Sequence, residues 1–302
     1  MARSNPQEEG PIAVPPSADN GPAPAGFSAH PRARWARRPG TPSPPDAAAW
    51  RLLQPLAVPI GAAELADIYL PLATWVQQHR RTAKTQIIGV TGSVAVGKST
   101  AARLLQTLLH QGPGAPRTAL ITTDGFLHPN AELARRGQMR RKGFPESYRL
   151  RALADLLAAL RAGRPGQCAP VYSHQRYDIV PGAQLALGRP EVVVVEGLGL
   201  LQLPAGARPD LLIYVDAHPA YLASWYVARF QALRRICRND PSAYLARFSH
   251  LSDASAAALA RTTWNQINAP NLQQHLLPLR PQAHLILHKG PDHQVTDVWL
   301  RG

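Results

Sequence analysis

The sequence predicts an α/β protein with a mostly parallel central sheet, helices on both of its faces and extra strands at one edge. Three observations predict it. From residue 86 onward short apolar runs alternate with segments of helical periodicity, the signature of βαβ units. One of those runs, Val192-Val193-Val194-Val195, is apolar at every position, as a strand buried on both faces must be. Between a strand and a helix stands the octet Gly92-Ser93-Val94-Ala95-Val96-Gly97-Lys98-Ser99, of the form G-x(4)-G-K-[ST]. In that form the glycines let backbone N–H groups turn toward an anion, and the following helix aims the positive end of its dipole at the same place.

The elements follow in order. Residues 1–46 are Pro-rich and poor in β-branched residues, which predicts a disordered tail outside the fold. A helical lead-in runs from 47 to about 81, broken at Pro71 and resuming through Trp75, and it opens a single domain over 47–302. Strand 86–91 then enters the octet and helix 98–110 leaves it, with Ala101, Leu104, Leu105 and Leu108 on one face. Strand 117–122, helix 149–162, strand 191–195, strand 210–215 and helix 219–236 continue the alternation. Helix 253–267 and a late pair of strands, 283–288 and 295–300, close a domain whose core sheet has five strands.

Composition narrows the class. A chain of 302 residues that is 45% hydrophobic can fill a large core. No run approaches a membrane span and the N-terminus lacks the apolar centre of a signal peptide, so the expectation is a cytoplasmic protein with no membrane partner. Cys168 and Cys237 have no metal-binding or disulfide-framework spacing. A net charge of +14 raises nucleic acid as a partner, but the arginines are scattered and no basic stripe with interleaved aromatics occurs. The same charge suits a site that receives a nucleotide polyanion, and no nucleic-acid partner is expected.

Phosphoryl transfer needs an anion cradle, a metal, a group that orients or deprotonates the nucleophile, and cations for the transition state. Lys98 supplies a charge for the β- and γ-phosphates and Ser99 a hydroxyl for Mg²⁺. Asp124 follows strand 117–122 directly; it either takes an acceptor's hydroxyl proton, holds Mg²⁺, or merely ends the strand in an Asx turn. Glu196 ends the Val192–Val195 run, where it organises Mg²⁺ directly or through water, or serves as a structural strand terminator. Residues 170–178 put Tyr172, His174, Arg176 and Tyr177 in a segment too polar for core, as ligand-contacting loops often are. On helix 219–236, Tyr226, Arg229 and Phe230 share a face, and core packing explains the rings but not the guanidinium between them.

The stretches Gly92–Thr100, Ile121–Asn130, Lys142–Tyr148, Pro170–His174, Val195–Leu198, Trp225–Phe230 and Ile267–Leu272 together closely resemble the bacterial type I pantothenate kinases, from about Ala63 to the C-terminus. The resemblance implies a P-loop kinase fold and transfer of the ATP γ-phosphate to pantothenate, the first step of coenzyme A synthesis. It implies Asp124 as base, Arg229 and Lys98 as cations at the transferred phosphoryl, and residues 92–100 with His293 as the ATP site. Tyr172, His174, Tyr177, Tyr226 and Asn268 match pantothenate contacts. Lys98, Arg103 and His174 match positions that meet coenzyme A as a feedback inhibitor competing with ATP. A homodimer is implied as well. Leu233 stands where the family usually has an aromatic, Gly199 where Asn is common, and the adenine-side Asn falls near Ala57. Two rivals are weighed: a uridine kinase or phosphoribulokinase relative, which should lack residues 142–148 and 170–174 as they stand here, and a nucleotide-dependent RNA-binding protein.

Overall fold

The computed structural model describes residues 22–42, 60–81, 84–111 and 114–302. The helix expected at 47–59 and the first part of the Pro-rich tail lie outside this set. In chain order the strands are β1 (Phe27–Pro31), β2 (Gln86–Gly92), β3 (Thr118–Thr122), β4 (Gln167–Ser173), β5 (Asp178–Gly188), β6 (Val192–Glu196), β7 (Leu211–Ala217), β8 (Leu285–Lys289) and β9 (Val295–Arg301). The helices used below are α1 (Arg32–Trp35), α2 (62–78), α3 (Lys98–Gln111), α4 (Asn130–Arg135), α5 (Leu150–Arg161), α6 (Pro219–Ile236) and α7 (Asp253–Thr263).

Seven strands make one sheet in the order β1-β9-β8-β7-β2-β6-β3. The five from β8 to β3 pair in parallel, and β9 and β1 extend that sheet antiparallel at one edge. Alternate residues of the central strands serve opposite faces. Ile88, Val90, Val192 and Val194 pack with α2 and α3, while Ile87, Val193 and Val195 pack with Leu153, Leu156, Leu157 and Leu160 of α5. Each of the four valines is fully buried, worth about 1.5–3 kcal/mol apiece relative to exposure.

Three expectations change here. Residues 27–42 belong to the fold and not to a tail: β1 pairs with β9 from Phe27 opposite Arg301 to Pro31 opposite Asp297. Trp35 then buries its ring and donates its indole N–H to the Ile68 carbonyl at 3.2 Å. Composition hid this segment because its stability comes from pairing with a strand 270 residues away, beyond any local pattern. The helix expected over 253–267 is α-helical only to Thr263 and continues as a π turn, Trp264–Asn268, ahead of Pro270, whose ring nitrogen has no N–H to donate. Finally, residues 170–178 are not simply a loop: β4 and β5 form a separate antiparallel hairpin with 174–177 at its tip. No helix among the described residues is long and apolar enough to cross a membrane.

Candidate active site

All five parallel strands end at the same edge, the side on which open α/β sheets hold their ligands. From β2 comes the loop at 93–97, from β3 Asp124, from β6 Glu196, from β7 helix α6, and from β8 its last residue, Lys289.

Gly92 cannot be replaced without moving a strand. Its φ is +142° and a Cβ there would overlap the Val215 carbonyl oxygen of β7. Ala95 (φ +65°) and Gly97 (φ +97°) turn the intervening amides into a concave nest of the kind that binds anions. Val96 is buried in the core below and Val94 packs partly against it, which fixes the loop from beneath; Thr100 continues onto α3. Lys98 donates to the Ser93 carbonyl of its own loop at 2.7 Å, and the Ser99 hydroxyl donates to Glu196 Oε1 at 3.1 Å.

The charges at this centre are strained by burial. Desolvation pushes the Lys98 ammonium down from its usual range, while Glu196 and Asp124 pull it back and Arg229 adds to the fall. Burial raises the Glu196 carboxyl, Lys98 opposes that, and the charge on Asp124 raises it further. Two carboxylates and a hydroxyl thus share a poorly solvated space, a donor set suited to a hard divalent cation. Among the described residues no three His, Cys, Asp or Glu side chains gather to hold a metal unaided. Mg²⁺ takes one or two carboxylates and relies on substrate phosphates and water for the rest.

Asp124 sits in the first turn after β3, its N–H held by the Thr122 hydroxyl at 3.3 Å. The Tyr148 hydroxyl approaches its Oδ1 at 3.5 Å. Burial raises the Tyr148 phenol far above its ordinary range, so it stays a donor. The hairpin β4–β5 faces this acid. Tyr172 and His174 meet edge to face with centroids 5.2 Å apart, and burial, with Asp124 nearby, raises the Tyr172 phenol. Tyr177, in the left-handed region at φ +55°, stacks on Tyr244 at 4.5 Å.

Lys142 ties these pieces together. Its Nζ donates to Asn130 Oδ1 at 2.7 Å and to the Tyr177 carbonyl at 2.5 Å, and lies 3.9 Å over the Tyr177 ring. Burial lowers its pKa to about 8 against the pull of Asp178 and Asp124. Opposite, Tyr226 of α6 lies beside Trp264 (5.8 Å), its phenol raised by burial and checked by the neighbouring Asn268 amide. The Asn268 Nδ2 itself is buried without a hydrogen-bond partner. Arg229, one turn beyond Tyr226, is exposed and makes no hydrogen bond or ion pair among the described residues, yet is near enough to Lys98 to depress it. It is a cation with nothing anionic to hold.

The remaining expected residues are His293 and Arg103. His293 (φ +67°) stacks on Trp225 at 3.6 Å and 24°, and burial together with Lys289 lowers its pKa to about 4. Arg103 lies on the exposed side of α3. Three contributors were not singled out from the sequence, namely Lys142, Tyr148 and Lys289. The first two were present only as the ends of the Lys142-Gly143-Phe144-Pro145-Glu146-Ser147-Tyr148 stretch, and their roles depend on Asn130, Tyr177 and Asp124, all distant in sequence.

Residues 87–234 match the family described as phosphoribulokinase / uridine kinase. Over 262 residues the chain is 48% identical to the pantothenate kinase of Clavibacter michiganensis subsp. michiganensis, covering 79% of this chain and 82% of that one. Over 301 residues it is 43% identical to the pantothenate kinase of Streptomyces avermitilis, covering 89% and 92%. The chain belongs to the pantothenate kinase family. Its fold is that of the P-loop kinases: a kinase ascribed to a fructose transport system of Silicibacter sp. TM1040 superposes with a TM-score of 0.52 at 22% identity, covering 67% of this chain and 90% of that one. The broader family match covers phosphoribulokinases and uridine kinases too, but the long, near full-length similarity is to pantothenate kinases, and this chain is a kinase of that kind.

Proposed function

We propose that this kinase transfers the γ-phosphoryl group of ATP to the primary hydroxyl of pantothenate, giving 4'-phosphopantothenate, the step that opens coenzyme A synthesis. The observation that carries the reading is the acceptor pocket. Tyr172 and Tyr177 lie close enough to Asp124 to feel its charge, His174 meets Tyr172 edge to face, and Tyr226 acts on Tyr177 with Asn268 beside it; the three phenols are kept protonated by burial, and the Asn268 amide N–H₂ is buried. A small acceptor that carries hydroxyls, an amide and a carboxylate satisfies such a lining.

The nucleotide phosphates occupy the nest at 93–97, and Lys98 exchanges the Ser93 carbonyl for the β- and γ-oxygens. Ser99 and Glu196 are the residues that would hold Mg²⁺, which would supply positive charge to offset that of the phosphates. Asp124 receives the proton of the acceptor hydroxyl as its oxygen bonds to the γ-phosphorus. The bond from that phosphorus to the β,γ-bridging oxygen breaks, and ADP carries away the electron pair. Arg229, exposed and unpaired among the described residues, closes on the transferring phosphoryl and stabilises charge that spreads over its oxygens. Coenzyme A, whose phosphates suit the same nest, competes with ATP through Lys98, with Arg103 and His174 at the flanks. Two chains assemble as a homodimer. Leu233 and Ile236, exposed on α6 one turn apart, offer apolar surface for it.

The test is an ADP-release assay with pantothenate, uridine and ribulose 5-phosphate as alternative acceptors, repeated with added coenzyme A. Turnover with pantothenate alone, with coenzyme A raising the apparent KM for ATP and leaving kcat unchanged, is the expected result. Faster turnover with uridine or ribulose 5-phosphate overturns the acceptor assignment.

A further inference from the structure

Lys289 is the last residue of β8, and it is 4% exposed. Its ammonium lies against the phosphate loop: a Cβ built on Gly97 would stand 3.0 Å from the Lys289 Nζ. Buried cations are normally paired. This one makes no hydrogen bond and no ion pair among the described residues, although Glu64, also buried, and Asp292 are close enough to act on it through space. Glu64 is itself engaged, accepting the Val295 N–H at 3.0 Å, which locks the start of α2 to the turn between β8 and β9. The same turn carries His293 on Trp225 and is braced by Arg32, which donates to Gln294 Oε1 at 2.8 Å.

A buried, unpaired cation costs stability. Glu64 and Asp292 reduce that cost without removing it, because burial still lowers the Lys289 ammonium. What lies within its reach is the loop of inward-facing amides, where Lys98 already provides one charge. We propose that Lys289 is a second cation of the nucleotide site, set by β8 to contact the polyphosphate of the bound nucleoside triphosphate from the side opposite Asp124. The proposal rests on the reading of 93–97 as the nucleotide cradle. Gly97 is then required twice over, by its φ of +97° and by the space that the ammonium needs.

The experiment compares the wild-type chain with Lys289→Met and Glu64→Gln, measuring KM for ATP and pantothenate and the shift in melting temperature caused by MgADP, MgATP and adenosine. Lys289→Met should raise KM for ATP about tenfold or more, the size expected for a lost charge-assisted contact, and leave KM for pantothenate within about twofold. Its ligand-free melting temperature should stay level or rise, since the unpaired charge is gone, while the shifts from MgADP and MgATP shrink and that from adenosine does not. A lower ligand-free melting temperature with undiminished MgADP and MgATP shifts would overturn the proposal, because it would make Lys289 only the structural partner of Glu64. Glu64→Gln provides the control: it should weaken the ligand-free protein without abolishing the nucleotide shift, and a loss of that shift as complete as in Lys289→Met would transfer the role to Glu64. If the wild-type chain shows neither a MgATP shift nor ATP-dependent transfer, the cradle reading fails first and the assignment of Lys289 falls with it.

Discussion

Asp124 and Arg229 make opposite kinds of claim on the reaction. Asp124 is held by its own backbone and touched by Tyr148, so replacing it with Asn keeps the shape and removes the proton acceptor. Turnover at saturating substrates should fall by about 10² to 10⁴, with KM values little changed. A rate within twofold of wild type would leave Asp124 a strand terminator. Arg229 is unpaired among the described residues and exposed, so its contact forms mainly with the transferring phosphoryl; Arg229→Ala should lower kcat by a larger factor than it raises either KM. Lys142 adds a pH dependence. In the unfolded chain it titrates near 10.5 and in the folded one at about 8, so between those values the unfolded state binds more protons and this group makes the fold more stable as pH rises. The acceptor pocket loses its cation over the same range. KM for pantothenate should therefore climb above pH 8 or so, and Lys142→Met should show the high KM at every pH. Lys98 and Ser99 could be picked out because they close the G-x(4)-G-K-[ST] octet, and Asp124 and Glu196 because each sits where a strand pattern stops. Lys142 and Tyr148 were not, because what gives them a role is a carbonyl on one hairpin and a carboxylate after another strand.

At the level of elements, legibility followed the source of each element's stability. Strands and helices that bury a periodic apolar face, such as β2, α3, β6 and α6, agree with their sequence patterns to within a residue or two. The β4–β5 hairpin escaped because its strands are half exposed, Pro170 interrupts the donors and two register shifts spoil the alternation. Strand β1 escaped for a different reason. It is short and Pro-flanked, and it gains its order from β9 and from Trp35 seated against Ile68. If that anchor holds the N-terminal segment to the sheet, Trp35→Ala should cost about 3–5 kcal/mol in urea unfolding. A loss under about 1 kcal/mol, the range of an exposed substitution, would show the segment to be draped over the domain without stabilising it. The same brace reaches the turn that carries His293, through Arg32 to Gln294 and Asp67, so the N-terminal segment supports the nucleotide side of the site.

Across the whole molecule the net charge of +14 is unevenly placed. One group of cations, Lys98, Lys142, Arg229 and Lys289, belongs to the site edge of the sheet. Another, Arg80, Arg81, Lys84, Arg117, Arg161, Arg164 and Arg189, lines a cavity at the opposite edge, where β2, β3 and β6 begin, with Glu191 as the one acid among the lining residues. The strands between are five residues or longer, which separates the groups by more than the screening length of about 8 Å at physiological salt. At low ionic strength both groups attract a nucleotide polyanion, but only the near one delivers it to the cradle. Raising salt from about 10 mM to about 150 mM should therefore lower kcat/KM for ATP several-fold and leave kcat alone, since steering acts on encounter and not on the bound complex. Replacing Arg164 and Arg189, whose side chains make no hydrogen bond or ion pair among the described residues, by Glu separates the two contributions. At low salt that pair should reduce the nucleotide's approach by removing part of the long-range field; at physiological salt the rates should coincide with wild type. Should the double variant lose activity at both ionic strengths, the far-edge cations would be acting on the fold or on a ligand of their own, and the field at the site would have to be ascribed to its own lysines and Arg229 alone.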